Sequence, residues 1–129
     1  MSIHKMIALH PDVGEDSNGL LATAARRAMF CAEMCTSCAA ACIAEPMDMR
    51  QCLRSYLDCA DVCAATGRLA VRRTGRNIEA VKLLLEACAQ VCELCAAQSA
   101  SHDHAHCQLC SQMCRECAAD CRTSLATIN

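Results

Sequence analysis

Cysteines that recur at helical spacing are the feature that most constrains this chain. The fifteen cysteines among its 129 residues fall into four rows, in which steps of three and four residues predominate. The rows are Cys31, Cys35, Cys38 and Cys42; Cys52, Cys59 and Cys63; Cys88, Cys92 and Cys95; and Cys107, Cys110, Cys114, Cys117 and Cys121. Such steps place side chains on one face of an α-helix, so the sequence predicts four helices that each present a row of thiols.

The segments between the cysteine rows indicate where these helices begin and end. Good helix formers fill four long windows, and no alternating β-branched run predicts a strand. Gly19 precedes the first window, and Pro46, Gly75 and the polar stretch 98–103 separate the four. Ser17 or Asn18 can cap the first helix, and Pro46 suits the first turn of the second. The predicted helices cover residues 20–44, 46–73, 77–98 and 103–125. Residues 1–19 are expected to form an arm or a short extra helix, and residues 126–129 a tail.

The short connections between these windows predict how the helices are arranged. Neighbouring helices joined by short loops run antiparallel, so we expect an all-α, up-down-up-down four-helix bundle with a cysteine-lined core. The four rows then meet in one part of the core. An apolar end is expected opposite them, formed by Leu20, Leu21, Ala24, Ala28, Leu69, Ala70, Ile78, Val81, Leu85, Leu125 and Ile128. The loops at the thiol end carry Met47, Met49, His102, His104 and His106.

The count and context of the cysteines favour metal binding over disulfides. An odd number of thiols cannot all pair within one chain. The first twenty residues lack the apolar stretch of a secretory signal, and no run approaches the roughly 18 apolar residues of a membrane span. These features predict a cytosolic protein without a membrane partner. Thiols stay reduced in that compartment, where cysteine-rich patterns are more often metal-binding or catalytic.

Charge and composition argue against nucleic-acid binding. The formal net charge is −2, and the chain has no Trp, one Tyr and one Phe. Its basic cluster, Arg72, Arg73 and Arg76, is short. We expect this cluster to complement the dipole at a helix C-terminus and to be solvated.

The donor set and its buried position favour Cu(I). Thiolates are preferred ligands of Cu(I), zinc and iron–sulfur clusters. The Cys-x2-Cys pairs lie within helical windows and not on the tight turns of zinc ribbons, and the bacterial iron–sulfur signature is absent. Zinc tetrathiolates would stack negative charge in the core, which is costly. Cu(I) ions joined by bridging thiolates form a neutral array, so fifteen thiolates could hold about fifteen ions.

Two other functions remain open from the residues alone. One is a zinc- or cadmium-sequestering protein of the metallothionein type. The other, less favoured, is a thiol redox protein, which would need an exposed cysteine of low pKa. Because the thiols here are many and equivalent, we predict a binding protein and not an enzyme.

The rows of Cys-x3-Cys and Cys-x2-Cys over residues 20–125, with His and Met at one end, resemble the cytosolic copper storage proteins. The resemblance implies a four-helix bundle, commonly tetrameric, that stores many Cu(I) ions in each protomer. It also implies that the fifteen cysteines are core ligands and that the segment with His102, His104 and His106 is where copper is taken up. Tyr56 departs from the pattern, because a cysteine there would complete the second row.

Two further features extend this interpretation. Met49 lies three residues before Cys52, on the line of the core, and could act as a thioether ligand. On the first predicted helix, apolar residues also occur away from the cysteine face, and a helix that is apolar most of the way round is usually buried. These residues, which predict a homo-oligomer, are Ala32, Ala39, Ala40 and Ile43.

Overall fold

The computed structural model describes residues 2–13 and 18–128. Within these residues the secondary structure is α-helical, without strands, which confirms the all-α prediction. The helices are α1 (Ile3–Ala8), α2 (Gly19–Ile43), α3 (Arg50–Val71), α4 (Ile78–Ala100) and α5 (Ala105–Leu125). The cysteine rows lie on α2 to α5. Among the described residues, no helix is both long enough and apolar enough to span a bilayer.

The four long helices pack around one core, and contacts between cysteines define their directions. Cys31 of α2 lies against Cys114 of α5. One turn later, Cys35 lies against Cys110, so α2 and α5 run in opposite directions. The pairs between α3 and α4 reverse in the same way, namely Cys59 with Cys92 and Cys63 with Cys88.

The beginning of α2 follows from its N-cap. The side chain of Asn18 accepts hydrogen bonds from the backbone N–H groups of Leu20 and Leu21, at 3.0 and 3.1 Å. These bonds satisfy donors that a helix start otherwise leaves free. Asn18 is therefore the cap, while the alternative, Ser17, lies outside the described residues.

The helix α3 begins later than the sequence predicted. Pro46 was expected in its first turn, but the helix starts at Arg50. The carboxylate of Asp48 accepts a hydrogen bond from the Arg50 backbone N–H at 3.0 Å and pairs with the Arg50 guanidinium at 2.8 Å. An Asp side chain that bonds the backbone two residues on stabilises a turn, so residues 44–49 form a loop.

The loops before α4 and α5 also differ in detail from the prediction. Asn77 occupies the N-cap position of α4, but its side chain makes no capping bond. Its Oδ1 instead accepts from the Thr74 backbone N–H at 2.7 Å, which closes the connection between α3 and α4. The helix α5 begins at Ala105, with His104 as its N-cap residue, and not at Asp103.

The apolar end of the bundle lies beyond the innermost cysteines. Leu21, Val81 and Leu85 are at most 1% exposed there. Leu20 was predicted to join them but is 45% exposed. Adjacent residues on a helix point about 100° apart, so Leu20 and Leu21 cannot both face the core.

The outer face of α2 is smaller than the sequence predicted. Ala39 is only 3% exposed within the single chain, because it lies one turn after Cys35 and packs into the same core. It therefore contributes nothing to an outer apolar face. Ile43, in contrast, is 74% exposed at the end of α2. The short helix α1 packs against α2 and buries Ile7.

Candidate metal centre

All fifteen cysteines are buried and carry free thiols. Each has at most 4% of its surface exposed. The helical steps in the sequence thus correspond to one continuous sulfur-lined interior, in which thiols occupy positions that Leu or Ile fill in ordinary bundles. Such a core buries less apolar surface than one built from Leu or Ile, but it contains soft donor atoms.

Nine of the sulfurs form a connected set, here called the inner thiol network. Neighbouring Sγ atoms in it lie between 3.5 Å, as for Cys63 and Cys92, and 4.0 Å, as for Cys31 and Cys35. These separations are well beyond the roughly 2.05 Å of a disulfide. The members are Cys31, Cys35, Cys59, Cys63, Cys88, Cys92, Cys110, Cys114 and Cys117.

The network contains overlapping groups of four donors. In each group the four sulfurs lie within 4.8 Å of one another, a spacing that suits a shared metal ion. The groups are Cys31, Cys59, Cys63 and Cys92; Cys31, Cys35, Cys59 and Cys114; and Cys63, Cys88, Cys92 and Cys117. Because four of these cysteines belong to two groups each, ions that filled all the groups would have to be bridged by shared thiolates.

A different donor set lies at the loop end of the core, here called the mouth. The sulfurs of Cys38, Cys42 and Cys107 and a ring nitrogen of His106 lie within 4.8 Å of one another. His106 Nδ1 is 3.1 Å from Cys38 Sγ. This imidazole therefore connects the thiol core to the surface.

The other residues predicted at the mouth are arranged around His106. The rings of His104 and His106 are stacked, with centroids 5.5 Å apart and an interplanar angle of 1°. His102 stacks on His104 at 6.2 Å and, like His104, lies outside the donor set of Cys38, Cys42, Cys107 and His106. Met49 is 5% exposed and lines a cavity with Cys42, whereas Met47 is 47% exposed.

Residues 17–126 of the chain match the copper storage protein family. The chain belongs to this family. The resemblance carried by the cysteine rows is thereby confirmed. The family is defined by copper storage and not by catalysis, and the matches indicate no enzymatic activity.

Solved copper storage proteins have the same fold. The chain is 36% identical to the copper storage protein Ccsp of Streptomyces lividans, in a form loaded with 10 copper equivalents, with a TM-score of 0.91 over 98% of this chain and all of that one. It is 28% identical to apo copper storage protein 3 of Bacillus subtilis, with a TM-score of 0.67 over 80% of this chain and 96% of that one. An uncharacterised cysteine-rich protein of Bacillus subtilis, YhjQ, is 35% identical over 98 residues, covering 74% of this chain and 87% of YhjQ.

In this member of the copper storage protein family, Glu45 also lies at the mouth, and the sequence analysis missed it. Its Oε2 lies 2.8 Å from His104 Nδ1, and its Oε1 lies 3.9 Å from His106 Nε2. Glu45 directly precedes Pro46 in the loop that faces the histidine segment. The sequence signal for Glu45 was an acidic residue in a loop that was expected to lie near the histidines.

Tyr56 interrupts the sulfur lining of the core. Its side chain is fully buried, and its hydroxyl is hydrogen-bonded with Ser99 and faces Cys107 and Cys38. Burial raises the pKa of the phenol, so it stays protonated. Because Tyr56 lies on α3 one turn before Cys59, it occupies a position between the mouth and the inner thiol network where this helix contributes no sulfur.

Burial also raises the pKa of thiols in and beside the mouth. It raises the pKa of Cys42 to about 12, with smaller contributions from Cys38 and Cys107. Burial raises the pKa of Cys52 and of Cys107 as well. Since the metal ligand is the thiolate, ions that bind here must displace protons.

Proposed function

We propose that this chain stores and buffers multiple Cu(I) ions in the cytosol, as thiolate complexes inside the bundle. The observation that carries the proposal is the sharing of sulfurs between the four-donor groups of the inner thiol network. Shared thiolates favour ions that accept few ligands and form bridged arrays. Cu(I) does so while adding little charge to a buried core.

All fifteen cysteines act as copper ligands in this proposal. If each thiolate bridges two ions and each ion takes two thiolates, the capacity is about fifteen Cu(I) per chain. The related Streptomyces lividans protein has been loaded with 10 copper equivalents, which supports storage of many ions here. A relative from the same organism is described as cytosolic, in agreement with the reduced thiols that storage needs.

Copper is exchanged at the mouth. His102, His104 and His106 form the outer part of the route, and His106 hands copper to Cys38, which its Nδ1 approaches to 3.1 Å. Met49 adds a thioether beside Cys42. The buried apolar end, which includes Leu21 and Leu85, closes the opposite side. Ions therefore enter and leave at one end, by exchange from sulfur to sulfur.

We also propose that the protein is a homo-oligomer, with four copies by family resemblance. Large apolar side chains are exposed on the long helices, among them Ile43 at 74%, Leu83 at 66%, Leu94 at 70% and Leu109 at 56%. Burial in subunit contacts would remove this area from water. Light scattering coupled to gel filtration tests the assignment, which a monomeric mass would contradict.

Anaerobic titration of the reduced apoprotein with Cu(I), against a chromogenic Cu(I) chelator, tests the stored ion. We expect an endpoint near fifteen equivalents and well above four, because bridging lets each sulfur serve two ions. An endpoint of one or two equivalents would contradict storage. Displacement of the bound copper by zinc under the same buffer would instead favour the zinc- or cadmium-sequestering function.

A further inference from the structure

We infer that Glu45, His104 and His106 form a second metal site, which binds a divalent ion of the Zn²⁺ class and is distinct from the copper store. One donor atom from each of the three residues lies within 4.8 Å of the other two. Two of the three donors are imidazole nitrogens and the third is a carboxylate oxygen. The site involves a different ion from the one proposed for the thiol core and does not depend on it.

The distances within this group suit a single small ion. Ligand atoms about 2.1 Å from a tetrahedral ion lie about 3.4 Å from one another. The Glu45 carboxylate is 2.8 Å from His104 Nδ1 and 3.9 Å from His106 Nε2, so the observed distances bracket that value. Small side-chain shifts would bring the three donors around one ion and leave a fourth position for water.

The state of His106 supplies independent support. Its Nε2 is buried and has no hydrogen-bond partner among the described residues. Its other nitrogen, Nδ1, is 3.1 Å from Cys38 Sγ. When Nδ1 carries the proton and donates it to the sulfur, Nε2 directs its lone pair towards Glu45. Histidines that ligate metals commonly hold their second nitrogen in this way.

The chemistry of the donors separates this site from the copper store. Carboxylate and imidazole suit zinc and other borderline divalent ions, whereas Cu(I) selects thiolate. The nearest thiols, Cys38 and Cys107, lie beside His106 Nδ1, on the side of the ring opposite Nε2. The imidazole of His106 thus lies between two sites that prefer different metal ions.

The fold positions the three ligands before an ion binds. Glu45 follows the end of α2, His104 is the N-cap residue of α5, and His106 lies in the first turn of that helix. The stacked, parallel rings of His104 and His106 present nitrogens to the same carboxylate. Little side-chain freedom is therefore lost on binding, which favours affinity.

Titration of the Cu(I)-loaded protein with Co²⁺, under anaerobic conditions, tests the site, because copper then occupies the thiols. Co²⁺ serves as a spectroscopic substitute for Zn²⁺. We expect one equivalent to bind with visible d–d bands, without the near-ultraviolet sulfur-to-cobalt charge-transfer band, and to be displaced by Zn²⁺. Failure to bind Co²⁺, or the appearance of the sulfur band, would overturn the inference.

Two matched variants assign the binding to these residues. Glu45→Gln should weaken Co²⁺ binding by about tenfold or more, because it removes the anionic ligand. Glu33→Gln makes the same change in charge at an exposed position of α2 and should leave binding unaltered. Equal affinities in the two variants would overturn the inference. So would a loss of Cu(I) capacity in Glu45→Gln, because the carboxylate would then belong to the copper store.

Discussion

The hydroxyl groups of Tyr56 and Ser99 form a hydrogen bond inside a core that is otherwise lined largely by thiols. Replacing Tyr56 by Phe leaves the Ser99 hydroxyl without this partner in a buried site. We expect the apoprotein to lose about 1 to 3 kcal/mol of unfolding free energy, with unchanged Cu(I) capacity. Urea denaturation and a copper titration measure the two quantities. A fall in capacity would identify the phenol as a ligand.

Tyr56→Cys should change the capacity itself. A cysteine at this position completes the row from Cys52 to Cys63 and adds a sulfur between the mouth and the inner thiol network. We expect the capacity to rise by about one Cu(I), and the apoprotein to be less stable because a large side chain is lost from the core. Titration of both proteins against the same chelator provides the measurement. An unchanged capacity would show that a sulfur at position 56 does not bind copper.

Cysteines at the centre of the network should matter more than those at its edge. Cys59 Sγ lies within 4.0 Å of the sulfurs of Cys63, Cys92 and Cys114 and belongs to two four-donor groups. Cys52 Sγ contacts Gln98 and lies outside these groups. Cys59→Ser should therefore weaken the retention of Cu(I) against the chelator more than Cys52→Ser does, because the sulfur of Cys59 has three close sulfur neighbours with which to share ions. Equal retention in the two variants would argue against a shared central cluster.

The histidines should control the rate of copper exchange more than its extent. Simultaneous replacement of His102, His104 and His106 by Ala should slow Cu(I) uptake and release by about tenfold, because the relay to Cys38 is lost, while capacity stays nearly constant. Stopped-flow uptake and endpoint titration separate rate from capacity. A large fall in capacity would show that the histidines hold stored copper.

The stability of the apoprotein should fall in alkaline solution. An unfolded cysteine loses its proton near its ordinary pKa of about 8.5. In the folded chain, burial raises the pKa of Cys42, Cys52 and Cys107, to about 12 for Cys42, so these thiols retain their protons to higher pH. Above about pH 8.5 the unfolded state therefore binds fewer protons, and the unfolding free energy falls as pH rises. Below that pH this contribution is fully present.

Urea denaturation from about pH 7.5 to about pH 10.5 measures this effect. The decline should be smaller for the Cu(I)-loaded protein, whose thiols have already lost their protons to the metal. Equal stability of the apoprotein at the two ends of the range would contradict the raised pKa values.

The helical content and the thiol-lined interior could be predicted from the sequence because they depend on periodicity, which every row displays. The start of α3 could not, because the Asp48 turn competes with the preference of Pro46 for a first turn. Leu20 was misplaced because adjacent positions on a helix diverge in direction. Glu45 was missed because its meeting with His104 depends on how two loops fold, which helical spacing does not determine.

In the proposed storage function, the apolar end, where Leu21, Val81 and Leu85 are at most 1% exposed, also determines the order in which copper ions leave. A sulfur-lined channel that is closed at one end cannot release its oldest ion before the ions that followed it, unless all of them exchange places first. The store is then a stack, in which the last ion to arrive is the first to leave. Two copper isotopes, loaded in succession and withdrawn by a chelator, would emerge in reverse order, and the inner sulfurs would hold a long-lived reserve.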